Sequence, residues 1–376
     1  MKRILALILA LLLLLTAAAG CTVREQPAEE PEATAEPAPT KKPEQPKLTP
    51  KPTPEPPEET EEPVPTEEPE PAYRNPLNGE PLEEPYMGRP VTVMINNLDK
   101  AMPHCGTANA DILYEVLAEG GVTRMQAVFS DVSGVPKIGP VRSIRPYFLD
   151  IAISYGSVIG HAGGSDEAYS RIRNEALQNI DGVRGSYSFS VFYRDSSRMW
   201  KGAEHALFTT GDNLLKCAEE KKYPLSFDTP YESGLHFAKD AVPENGEDAN
   251  AAEITFSMAK KTTLFYNENS GLYSMVQHRA DYIDENTGDL VLFKNFIAIY
   301  TNSRTIDDYG RLSMDTTSGG RGYFACGGKF VPITWERDAG ESFRYYLEDG
   351  SELQLGVGKT YIAVVPEGGQ GSVLFS

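Results

Sequence analysis

Residues 146–177 read PYFLDIAISYGSVIGHAGGSDEAYSRIRNEAL, and three signals in this stretch set the fold class. Pro146 opens an apolar run to Tyr155, and a proline in the first helical turn removes a donor that would be unpaired anyway. Ser157-Val-Ile-Gly160 is too short for a helix and is bounded by glycine, which predicts a buried strand. After the turn His161-Ala-Gly-Gly-Ser165, residues Asp166 to Leu177 predict a second helix, with Ser165 as its cap. Helix, strand and helix in such quick succession are the mark of an α/β layer.

Working outward, Val91–Asn96 (VTVMIN) is a short β-branched run that predicts another buried strand, and Met125 to Val132 one more. Ala108 to Gly120 reads as a helix, with Thr107 or Asn109 as cap and Gly120-Gly121 as the stop. Residues 239–252 are polar and rich in breakers, which predicts a linker. Beyond it come strand-like runs such as LVLFKNFIAIYT, FVPITW and TYIAVV, with hairpin-type turns at Asn286-Thr-Gly288 and Glu348-Asp-Gly350. The expectation is an α/β (α+β) N-terminal domain over 73–238, then the linker, then a mostly β C-terminal domain over 253–376.

The first 72 residues are of another kind. Lys2-Arg3, the apolar run from Ile4 and the small residues up to Gly20 predict an export signal over 1–21. The run from Ile4 to Ala19 has 16 residues, short of the ~20 that span a hydrocarbon core. Ala18-Ala19-Gly20-Cys21 is similar to a bacterial lipobox, so Cys21 is expected to be diacylated and to hold the chain on a lipid bilayer. Residues 22–72 contain 15 of the 28 prolines and 14 Glu against 5 basic residues. Such a segment cannot bury enough apolar surface to order itself, and its prolines and like charges extend it. A disordered stalk is expected, reaching roughly 160 Å when stretched.

That partition changes the meaning of the net charge of −19: the stalk carries −9, and residues 73–376 keep −12. An acidic body of this kind excludes a broad nucleic-acid surface but leaves room for one small anion pocket. Cys105, Cys217 and Cys326 are too few and odd in number for a disulfide framework. The five histidines and these cysteines show no metal-ligand spacing. Export argues against a cytoplasmic cofactor such as ATP; no cofactor and no metal are expected.

Candidate chemistry gathers in three places. On a helix, Asp111, Glu115 and Glu119 would form one stripe, for acid–base work, for binding a cation, or as a solvated face. Arg142, Ser143 and Arg145 precede a helix start, where guanidinium forks suit phosphate or carboxylate. His161, Gly163, Gly164 and Ser165 make a glycine turn through which backbone N–H groups could meet an anion, although it is neither a Walker loop nor a nucleophile elbow. Further on, Arg194, beside Asp195, leads to His205.

The blocks RPVTVMINN, ADILYEVLAEGGVTR, IGPVRSIRPYFLDIA, HAGGS and FYRD followed by Arg198 resemble, in order, those of the YerB-like bacterial lipoproteins. GGRGYFACGGKFVPITW and GKTYIAVVP are similar to that family's C-terminal domain. The resemblance implies a two-domain lipoprotein without an established activity, and carries over no catalytic residue. Where the family tends to have Pro-His-Asn, this chain has Glu204-His205-Ala206, which weakens any role needing an amide beside the histidine. Two readings follow. One is an envelope lipoprotein binding an anionic ligand, such as a wall glycopolymer or lipid-linked phosphate, or a protein partner. The alternative is a hydrolase or transferase on wall material, with His161 or His205 and Glu115 or Glu119 as acid–base groups.

Overall fold

The computed structural model describes residues 70–185, 187–369 and 371–376. The signal segment, Cys21 and the stalk up to residue 69 lie outside the described residues. The described residues, from Glu70 onward, form one compact unit.

Its frame is a central sheet of eleven strands among the described residues. In chain order these are Val91–Asn96 (β1), Ile112–Leu117 (β2), Thr123–Phe129 (β3), Val158–His161 (β4), Asn179–Asp181 (β5) and Glu247–Asp248 (β6). Asn295–Thr301 (β7), Gly320–Cys326 (β8), Lys329–Glu336 (β9), Arg344–Tyr346 (β10) and Thr360–Pro366 (β11) complete it. Across the sheet they run β6-β9-β8-β7-β11-β2-β3-β1-β4-β5, with β10 paired to β9. Strands β1, β4 and β5 are parallel, as are β7, β11 and β2. A parallel core of this kind is covered on both faces, and every residue of β1, β2, β3, β7 and β11 is buried.

One face is covered by helices α1 (Pro146–Ser154) and α2 (Asp166–Asn174), whose Phe148, Leu149, Ala168 and Ile172 pack against Met94, Tyr114 and Ile159. Pro146 sits in the first turn of α1, and Ser165 Oγ caps α2 by accepting from the Ala168 N–H at 3.2 Å. The other face is covered by helix α3 (Gly211–Glu220) and a six-stranded antiparallel sheet built around Ala251–Ser257, Lys260–Asn267 and Leu272–Gln277.

Two expectations need correction. Ala108 to Gly120 is no helix: Thr107–Asn109 makes a 3-10 turn, Ile112–Leu117 is strand β2, and Gly120 and Gly121 turn the chain at φ of 73° each. The run ILYEVL is apolar on both sides because strands flank it and layers cover both its faces, and such a run mimics helical spacing. Asp111, Glu115 and Glu119 therefore do not share a helical stripe. The segment 239–252 is also no free linker, since β6 within it pairs with Lys329 and Phe330, and Ala251 starts the second sheet.

Candidate functional site

Strand β1 ends at Asn96, with Arg124 opposite it on β3. The segment after Pro140 lies along that same end, where Val141 bridges Ile95 and the Arg142 N–H donates to the Met94 carbonyl at 3.0 Å. Strand β4 ends at His161, and the turn that follows folds back beside residues 142–145. Ser143 Oγ donates to the Ala162 carbonyl at 2.9 Å, and the Ile144 N–H to the Gly163 carbonyl at 3.0 Å. Gly163 has φ +77°, a conformation that favours glycine, and a Cβ on Gly164 would stand 3.1 Å from an Ile144 methyl, so the two segments pack tightly at this turn. Arg142, Ser143, Arg145, Gly163, Gly164 and Ser165 thus form one neighbourhood at the carboxyl ends of parallel strands, where open α/β sheets hold their ligands.

The charges there are unbalanced. Glu119 bridges two guanidiniums, Arg124 at 3.0 Å and the Arg145 Nε. Burial favours the neutral Glu119 carboxyl, but Arg124 and Arg145 outweigh it and hold the group below its ordinary value. Burial, and then the repulsion of Arg145, lower Arg124 to about 10. Arg124 also donates to the Ser143 carbonyl at 3.1 Å. The half-buried Arg142 guanidinium makes no hydrogen bond or ion pair among the described residues; burial and Arg145 lower its pKa, against Glu204 and Glu119. Three guanidiniums gather here, of which Glu119 bridges two, while Arg142 feels Glu204 and Glu119 without a direct contact.

Beside Arg142 stands His205, whose Nδ1 lies 3.0 Å from the Asn96 amide nitrogen and whose Nε2 is 3.7 Å from Glu204. Because an amide N–H can only donate, Nδ1 is the acceptor and Nε2 carries the proton. Burial lowers the pKa of His205, and Arg142, Lys100 and Lys201 lower it further against Glu204. An open cleft of about 350 Å³ adjoins the cluster. Glu119, Arg145, Gly164, Ser165 and Asp166 line it from one side, and Tyr309 and Arg311, on a hairpin from the C-terminal half, line it from the other.

Other candidates lie elsewhere. His161 is fully buried, with Nδ1 2.9 Å from the Gly163 carbonyl and Nε2 3.2 Å from Asn179 Oδ1, so it braces the glycine turn from below. Glu115 is fully buried and accepts from Asn97, Thr123 and Lys260 on one oxygen and from Thr262 and Tyr361 on the other. Arg194 is exposed and donates to the Ala203 carbonyl, while Asp195 pairs with Lys137 at 2.7 Å. Sequence reasoning missed Asn96, Arg124, Tyr309 and Arg311 as site residues. Strand alternation along β3 would have put Arg124 on the face of Gln126 and Val128; no local signal marks Tyr309. Among the described residues, no cluster of three or more His, Cys, Asp or Glu is placed to hold a metal ion.

Residues 77–224 match the family model described as "Protein of unknown function (DUF3048) N-terminal domain", and residues 252–362 match that of its C-terminal domain. The chain is 31% identical over 284 residues to "Putative lipoprotein YerB" of Bacillus subtilis (strain 168), covering 74% of this chain and 82% of that protein. It is also similar to the crystal structure of the YerB protein from Bacillus subtilis, with a TM-score of 0.70 at 28% identity, covering 80% of this chain and 99% of the other.

Proposed function

Because the chain belongs to the DUF3048 family of unknown function, with a lipoprotein among its relatives, we propose that it is a membrane-anchored, extracytoplasmic lipoprotein that binds an anionic envelope ligand. Diacylated Cys21 would be the anchor, residues 22–72 the spacer, and the cluster of Arg124, Arg142 and Arg145 the anion site. Wall glycopolymers and lipid-linked phosphates are the ligand classes that fit.

The observation that carries this reading is Arg142. A half-buried guanidinium without an ion-pair or hydrogen-bond partner among the described residues, beside two further arginines, has lost part of its hydration with only the fields of Glu204 and Glu119 to offset it, and an arriving phosphate or carboxylate would supply the missing direct contact. The hydrolase reading finds less support, since His161 and Glu115 are committed to internal partners and Glu119 is held by Arg124 and Arg145, which leaves His205 alone of its four acid–base groups. The test is titration calorimetry of the chain with inorganic polyphosphate. Arg142→Ala should weaken binding roughly ten- to hundredfold, the worth of one charge-assisted hydrogen bond. Unchanged affinity in that variant, or no binding by the parent chain, overturns the proposal.

A further inference from the structure

Tyr309 is 86% exposed at the tip of the Ser303–Met314 hairpin, far more than an aromatic ring needs for packing. The hairpin is held close to the other half of the molecule: a Cβ placed on Gly310 would come within 4.0 Å of the Gly120 backbone nitrogen. Arg311 stands 5.9 Å from the Tyr309 ring centroid and pairs with Asp307 at 2.6 Å. Across the cleft lie Arg145 with its partner Glu119, and Asp166.

The cleft lining therefore differs in kind from Arg142. The lining itself carries two guanidiniums, Arg145 and Arg311, against two carboxylates, Glu119 and Asp166, so it offers little net attraction for a bare anion. What it does offer is alternating fixed donors and acceptors around one exposed aromatic face. A pyranose ring fits that lining: each hydroxyl both donates and accepts, so it can bridge an arginine and a carboxylate, while the C–H face of the ring packs on an aromatic surface. The anion-favouring position, Arg142, stands outside the lining but acts electrostatically on Arg145 and Glu119, which belong to it.

We infer that the ligand is an acidic glycan, with a sugar ring held in the cleft against Tyr309 and its anionic group held at Arg142. The inference rests on the anion reading above and adds the ring. It makes the site composite, since Arg142 and Arg145 come from the N-terminal half and Tyr309 and Arg311 from the C-terminal half. Tyr309 is then a specificity determinant.

The full-length chain in phosphatidylcholine vesicles is titrated with three probes: an oligogalacturonate, polyphosphate of similar length, and chitohexaose. The oligogalacturonate should bind tightest, because it alone supplies both ring and charge. Tyr309→Ala should weaken it at least tenfold and leave polyphosphate within twofold, while Tyr309→Phe, which keeps the ring face, stays near the parent. Arg142→Ala should weaken both acidic probes. If Tyr309→Ala moves both acidic probes alike, or neither, ring recognition falls. The anion reading then stands on its own, provided Arg142→Ala still weakens polyphosphate. If Arg142→Ala changes nothing, or chitohexaose binds as tightly as the uronate, the anion requirement falls and the inference with it. Absence of binding by all three probes overturns both.

Discussion

Glu115 shows how a residue can resemble catalytic chemistry in sequence and be architecture in three dimensions. It lies at the centre of β2 with no exposed surface, and its two oxygens accept from Asn97, Thr123, Lys260, Thr262 and Tyr361. Lys260 is itself buried and also donates to Gln277 at 2.6 Å. A buried ion pair of this kind adds little over a well-packed apolar pair, but removal of one partner strands the other charge without water. Glu115→Gln should therefore cost about 3–5 kcal/mol of unfolding free energy, measured by urea denaturation. Adding Lys260→Met to that variant should recover part of the loss. A cost below about 1 kcal/mol for Glu115→Gln would show that the pair is not the constraint the geometry implies. Sequence spacing could not reveal any of this, because the partners arrive from as far along the chain as residues 260, 262 and 361.

At the scale of elements, what was legible was local. The proline at the start of α1, the serine cap of α2 and the glycines of the HAGGS turn act on neighbours a few residues away, so the 146–174 stretch reads correctly from sequence. Ile112–Leu117 was illegible because its periodicity is erased once layers cover both faces of the strand. The site divides in the same way. Arg142, Arg145 and the Gly163-Gly164 turn could be nominated because they sit beside helix starts, whereas Arg124 and Tyr309 reach the site only through β3 register and a distant hairpin. Helix α3 supplies the element-scale prediction. A Cβ on Gly211 would fall 1.6 Å from the Val132 carbonyl oxygen, a backbone atom that no side-chain rotation relieves. Gly211 also donates its N–H to the Val135 carbonyl at 2.9 Å, so the loop cannot retreat without loss of that bond. Gly211→Ala should then destabilise the protein by about 3 kcal/mol, at the upper end of overpacking costs, while Lys216→Ala on the outer face of α3 stays within about 0.5 kcal/mol of the parent. Equal stability of the two variants in urea would contradict the close packing of α3 on the 132–135 loop.

For the whole molecule, the boundary near residue 240 is one of composition, and the two matched family models part there as well. The central sheet nevertheless crosses it. Strand β11, from the end of the chain, inserts between β7 and β2 and pairs in parallel with both. Loops join the halves too: Asp284 accepts from the Ala108 N–H at 2.8 Å, Glu285 from Cys105 Sγ at 2.9 Å and Arg198 at 2.7 Å, and His104 Nδ1 lies 2.8 Å from the Tyr282 hydroxyl. Pairings between residues more than two hundred positions apart leave no trace in local pattern, so two bodies are what a sequence reading yields. The consequence is cooperative unfolding. Without residues beyond 238, β2 would become an apolar edge strand with unpaired backbone groups, the arrangement that drives edge-to-edge aggregation. Scanning calorimetry should accordingly give one transition from the folded unit, with calorimetric and van't Hoff enthalpies equal, and a chain ending at residue 238 should fail to give a cooperative transition. Two resolved transitions, or a stably folded N-terminal fragment, would show that the shared sheet is not a shared stability. The same topology bears on the cleft, because one of its walls, from Glu119, Arg145 and residues 164–166, and the other, on the Ser303–Met314 hairpin, come from halves that β11 joins in one sheet.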